Sequence, residues 1–188
     1  MNATASKTEH IVRIQDLLDR WRELGSLRLA CGVELIGRVP DEDVWLHAMF
    51  PPLDAAAIGV LQRKIGVPLP TSLRVFYRCC GGLSLFCGMF EMFGRYDGPS
   101  GAPSPKDIVR SNHQLDVLGW MPPGAVAFAQ NSWDMSVHVA GMCADRDEVV
   151  RCDWRTGAVI ERHPNVLACI DARLHRIDAM QASVSSRG

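Results

Sequence analysis

The sequence predicts an α+β domain, a mainly antiparallel sheet packed with helices, and three observations predict it. Helical and strand-like segments mix without a repeating β-α-β rhythm, which argues against a doubly wound sheet. Short apolar runs at about 125–130, 136–142, 147–154 and 158–162 follow one another with only turns between them, the pattern of consecutive antiparallel strands. The 188 residues, 47% of them hydrophobic, suffice for one well-packed core and show no internal repeat or low-complexity linker.

Residues 1–7 read as a frayed terminus. Thr8 is placed to cap a helix over about 9–24, whose Ile11, Ile14, Leu17, Leu18, Trp21 and Leu24 form one apolar stripe, with Gly25 as its stop. Leu27–Ile36 is compatible with a strand. An acidic turn, Pro40-Asp41-Glu42-Asp43, precedes the apolar run Val44–Met49.

From Leu53 to Gly82 the chain reads as two short helices around a Leu-Pro hinge. Asp54 caps the first, with Leu53 and Ile58 in hydrophobic-staple positions and Gly66 at its left-handed end. Pro70 suits the first turn of the second helix, which buries Leu73, Phe76, Tyr77 and Cys80 before Gly81-Gly82 stops it. Leu83–Phe86 and Phe90–Phe93 then form a hairpin about Cys87-Gly88. Arg95–Pro105 is the longest loop, and Ser104 or Pro105 opens a helix through Leu118. After the four strands, Pro164 begins a last helix with Val166, Leu167, Ile170, Leu174 and Ile177 inward. Ser183–Gly188 is expected to be disordered.

The order Ile65-Gly66, Leu69-Pro70, Phe76-Tyr77, Gly81-Gly82 resembles the signature of the SUKH superfamily. Trp120-Met-Pro-Pro-Gly before an apolar strand, a polar loop at 130–134 and two further strands extend the resemblance over about residues 44–180. It implies a single SUKH-like domain at 44–180, after an N-terminal helix and extension at 1–43 and before a flexible tail at 181–188. It also implies a binding protein. The bacterial members are similar to immunity proteins that neutralise a cognate polymorphic toxin domain in the cytoplasm. The alternative is an intracellular regulatory scaffold or adaptor, non-enzymatic, like the fungal members in cell-wall-synthesis signalling.

Composition and motifs agree with that expectation. A net charge of −1 gives no electrostatic footprint for nucleic acid or an anionic membrane. The charged first twenty residues have no secretory apolar core, and no run approaches a membrane span, so a cytoplasmic protein is expected. Seven cysteines without a C-x-x-C pair do not form a disulfide framework. Cys31, Cys80, Cys143 and Cys169 sit in apolar contexts and read as buried. The six histidines stand apart from any metal-ligand spacing, so neither metal nor cofactor is expected. Cys79-Cys80 beside a glycine pair suggests a thiol hydrolase only weakly, because the C-terminal end of a helix disfavours a thiolate.

The expected partner, a cognate toxin effector domain, needs an anchor and steering charge. Trp133 in a polar loop supplies the first, with Asp134 beside it. Asp145, Asp147 and Glu148 in the next turn supply the second, on the expectation that the loops at neighbouring strand ends converge. Trp21, Trp45, Trp120 and Trp154 read as structural.

Overall fold

The computed structural model describes residues 7–39, 44–95, 104–142 and 146–185, with side chains from Glu9 to Ala179 within them. It is an α+β fold. A nine-stranded sheet runs in chain order, every strand antiparallel to the next: β1 Ser26–Arg28, β2 Glu34–Arg38, β3 Trp45–Met49, β4 Leu83–Leu85, β5 Phe90–Met92, β6 Val126–Asn131, β7 Ser136–Ala140, β8 Val149–Asp153 and β9 Val159–His163. The helices are α1 Lys7–Arg22, α2 Ala55–Ile65, α3 Thr71–Cys79, α4 Ile108–Leu118 and α5 Val166–Ser185.

A meander of this kind has two ends that alternate along the chain. At one end lie the connections β3→β4, which carries α2 and α3, β5→β6, which carries α4, and β7→β8, together with the start of α5. At the other end lie the connections β2→β3, β4→β5, β6→β7 and β8→β9, and there α1 leads into β1. We call these the helix end and the turn end.

Local sequence explains the helix end. Asp54 Oδ1 accepts from the Ala57 N–H at 2.7 Å and Gly66 sits at φ +83°, so α2 begins and stops where the sequence says. The N-terminus of α3 has no cap from its own Pro70. Asp147, 75 residues away, accepts from the Ser72 N–H at 3.0 Å and the Ser72 hydroxyl at 3.2 Å. The Ser72 oxygen in turn accepts from the Val166 N–H at 3.2 Å, which joins α3, α5 and the β7→β8 connection. For α4 the opening residue is Asp107, not Ser104 or Pro105: its carboxylate accepts from the Val109 N–H at 2.8 Å. Gly81 and Gly82 end α3, but neither adopts a positive φ. A Cβ on Gly81 would lie 2.2 Å from the Pro51 carbonyl oxygen, and one on Gly82 would lie 2.7 Å from Pro105 Cβ. The pair is there for close approach of backbone, not for a left-handed turn.

One core runs through the whole domain. Leu17, Leu18 and Trp21 of α1 join Ile36, Leu73, Phe76, Tyr77, Leu85, Phe90, Val139, Ile170 and Leu174 in a single buried cluster. The segment 1–43 therefore adds a helix and two strands to the same sheet and core, with His10 Nδ1 on α1 2.8 Å from Asp171 Oδ2 on α5. α5 continues as helix through Ser185, past the expected domain edge at 180. Strand β7 is buried along its length, β6 and β8 nearly so, whereas β1 and β9 are exposed edges. All six described cysteines are free. Cys80, Cys152 and Cys169 are buried, but Cys31 is exposed, contrary to its apolar neighbourhood, because it lies in the β1→β2 turn; Cys143 lies outside the described residues. No helix among the described residues is long and apolar enough to cross a membrane.

Candidate protein-interaction surface

The β6→β7 turn, Ser132–Met135, lies at the turn end beside the β4→β5 turn. The Ser132 N–H donates to the Met89 carbonyl at 3.0 Å and its hydroxyl to the Gly88 carbonyl at 2.9 Å. The Trp154 N–H donates to the Met135 carbonyl at 3.0 Å, which ties in the β8→β9 turn. Three hairpin turns are thus held side by side.

Their outward side chains are apolar. Trp133 is 49% exposed, Met135 54% and Met89 37%. Among the described residues only Phe86, Cys87 and Met135 are non-glycine residues with positive φ, and all three belong to these turns. That conformation costs an ordinary residue about 1 kcal/mol or more. The Phe86 ring explains its own case, since it is buried edge-on against Trp21 and His47, with centroids 5.1 and 4.6 Å away. For Met135 the backbone strain accompanies an exposed side chain.

Beneath the turns lies a polar network that sequence reading missed. Arg151, buried in the middle of β8, places Nη1 2.7 Å from Asp134 Oδ2 and Nε 3.2 Å from Glu161 Oε2. Arg173 of α5 donates to the same Glu161 oxygen. Asp134 Oδ1 accepts from the Ser136 hydroxyl at 2.6 Å, Ser136 Oγ accepts from Asn131 Nδ2 at 2.8 Å, and Asn131 Nδ2 stands 3.3 Å from His138 Nε2. His138 Nδ1 lies 3.2 Å from Cys169 Sγ. No single segment reveals this assembly, because its members come from four strands, the β6→β7 turn and a helix.

A thiol, an imidazole and an amide in that order invite comparison with a Cys-His-Asn nucleophile. The proton order argues against it. Because the Ser136 proton goes to Asp134, Asn131 must donate at both contacts, so His138 Nε2 accepts and Nδ1 carries the proton toward sulfur. The imidazole then has no lone pair with which to take the thiol proton. Burial pushes the Cys169 thiol up to about 12 and drives His138 well below its ordinary value, with the charges of Arg173, His163 and Arg151 adding to the second effect. Both residues are fully buried. Cys80 is no better placed: its Sγ donates to the Gly82 carbonyl at 2.7 Å and burial raises it to about 12. Among the described residues no group of three or more His, Cys, Asp or Glu side chains could hold a metal ion.

The residues expected to form one patch do not come together. Trp133 and Asp134 precede β7, whereas Asp147 and Glu148 follow it, so β7 separates them by about 17 Å of strand. Consecutive turns of a meander fall at opposite ends, and the turns that converge are alternate ones. Asp134 serves Arg151 and Ser136, Asp147 caps α3, and Glu148 pairs with Arg162 at 2.8 Å. The expected carboxylates are thus engaged within the fold; Asp145 and the acidic triplet 41–43 lie outside the described residues. Trp120 is held structurally, its Nε1–H donating to the Trp154 carbonyl at 3.0 Å.

No family model matches the chain, and no curated protein matches it.

Proposed function

We propose that the protein is a non-enzymatic immunity protein. It binds and neutralises a cognate polymorphic toxin domain in the bacterial cytoplasm, docking through the turn end of its sheet. The observation that carries this reading is the exposed set Trp133, Met135 and Met89 on turns that are hydrogen-bonded to one another. Rigid turns hold the anchor before the partner arrives, so little side-chain or loop entropy remains to be lost on binding. A tryptophan half out of solvent also contributes large contact area with only two rotatable angles to freeze. The SUKH-like order of motifs supports the same class, and the buried, wrongly protonated Cys169–His138 pair favours binding over catalysis.

The test is affinity for the effector domain encoded beside the gene. Wild type should bind at nanomolar Kd or tighter, about −12 kcal/mol or beyond. Trp133→Ala should weaken binding by at least about 2 kcal/mol, mostly through faster dissociation. Undiminished binding by a folded Trp133→Ala variant would remove the turn end from the interface.

A further inference from the structure

Between Trp133 and α5 lies a cleft lined by Met89, Asn131, Trp133, Arg173, Arg176 and Ile177, with about 20 Å3 of open volume. That is room for one group of about water's size. Its apolar walls are a tryptophan, a methionine and an isoleucine. Its polar lining is one amide and two guanidiniums.

The charges around this cleft do not cancel. Arg151, Arg173 and Arg176 are gathered within electrostatic reach of one another: the charges of Arg151 and Arg176 add to burial in lowering the Arg173 pKa. Among the described residues the anions paired with them are Asp134 and Glu161, and both are already taken, Asp134 by Arg151 and Glu161 by Arg151 and Arg173. Three cations against two anions leave one positive charge. Arg176 carries it on an exposed side chain with no hydrogen bond or ion pair among the described residues. Arg173, only 3% exposed, donates to Glu161, and its Nε is buried with no hydrogen-bond partner. A buried guanidinium with an unused donor beside an unpaired one is a site short of an anion.

We propose that this cleft receives an aspartate or glutamate side chain of the protein partner, its carboxylate paired with Arg176 and facing Arg173. The proposal rests on the docking reading above and specifies its chemistry: the partner presents the carboxylate, where the sequence suggested that this protein would. The carboxylate group alone enters, and Trp133, Met89 and Ile177 flank its approach. Enclosure strengthens the charge-assisted hydrogen bonds by excluding water from them.

The experiment is an NMR titration of the full chain with acetyl-Leu-Glu-Leu-amide and with its Gln counterpart at millimolar concentration. The Glu peptide should give saturable shifts at the Trp133 indole N–H and the Arg176 side-chain N–H, fading as salt is raised. The Gln peptide, and the Glu peptide on Arg176→Gln, should bind about tenfold more weakly or not at all. Equal affinity for the two peptides, or no saturable shift at Trp133, would overturn the carboxylate assignment. The effector domain separates this proposal from the reading beneath it. Binding that falls for Trp133→Ala but stays unchanged for Arg176→Gln defeats the carboxylate and keeps the docking surface. Binding indifferent to Trp133→Ala defeats the docking reading itself.

Discussion

The two ends of the sheet handle their exposed-looking residues in opposite ways. At the helix end, polar side chains are absorbed into structure. Asp54 caps α2, Asp107 caps α4, and Asp147 caps α3 from a distant turn through Ser72, whose oxygen goes on to hold α5. Backbones approach so closely there that Gly81 and Gly94 have no room for a Cβ. At the turn end, the polar groups are drawn under the surface and the apolar ones are left out: Asp134 reaches in to Arg151 while Trp133 and Met135 point into solvent. Helices returning to a meander need caps and close packing wherever they enter and leave, and short hairpin turns do not. The end whose described strand connections are hairpin turns is the one that presents side chains, with α5 beside them.

The largest test of this contrast is Arg151→Ala. It removes the cation between Asp134 and Glu161, leaving Asp134 with Ser136 and Glu161 with Arg173, and releases one anchor of the Trp133 turn. Losing one partner of a buried ion pair costs about 3–5 kcal/mol. Glu161 is about a third exposed, so a loss near about 3 kcal/mol is expected in chemical denaturation. A loss below about 1 kcal/mol would make the network a solvated surface feature and remove the proposed support of the turn.

Next is pH. His47 lies under the Phe86 turn with its ring stacked on Trp21 at 3.9 Å between centroids, and Nδ1 3.4 Å from the Phe86 N–H. Its Nε2 is buried without a hydrogen-bond partner, and burial lowers its pKa to about 3. The folded value lies below the unfolded one of about 6.5, so below that pH the unfolded chain binds a proton that the native state refuses. Stability should therefore fall as pH drops from about 6.5 toward 3. His138 contributes in the same direction. Denaturation midpoints for His47→Phe should show a shallower acid limb than wild type. An unchanged limb would show that acid reaches the turn end by another route.

Asp147→Ala carries the contrast to the helix end. Removing a helix cap costs about 0.5–2 kcal/mol, and about 1 is expected here, against almost nothing if Asp147 were an exposed steering charge. This residue also marks the limit of what the sequence could tell. Asp54 was legible as a cap because its partner, Ala57, is three residues on, and Gly66 was legible because a left-handed stop sits next to the helix that it ends. The order of helices and strands was legible for the same local reasons. Asp147 capping Ser72 spans 75 residues of chain, and no local pattern distinguishes such a carboxylate from a solvated one. The Asp134–Arg151–Glu161 network was hidden likewise. The expected convergence of the loops around 133 and 147 failed on topology: neighbouring turns were grouped, where an antiparallel meander groups alternate ones. Gly81-Gly82 was legible as a stop, but the crowding around it was not, because spacing shows where a glycine lies but not what passes over it.

The smallest expected effect is on the most conspicuous residue. Trp133→Ala should change unfolding free energy by no more than about 0.5 kcal/mol, equivalent to about 1–2 °C in Tm for a chain of this size. Tryptophan in a core usually costs about 3–5 kcal/mol to truncate, so the two outcomes are well separated. The reason to expect the smaller one is that nothing holding the turn passes through the indole. Ser132 ties it to Gly88 and Met89, Asp134 ties it to Ser136 and Arg151, and Met135 accepts from Trp154 by its backbone. What the indole does cover is the mouth of the cleft shared with Met89, Arg176 and Ile177. A loss above about 2 kcal/mol would mean that this contact is part of the core, and the turn end would then resemble the helix end in using its residues for folding. Stability held within about half a kcal/mol, together with lost affinity, would leave Trp133 with no task except contact with something outside the chain.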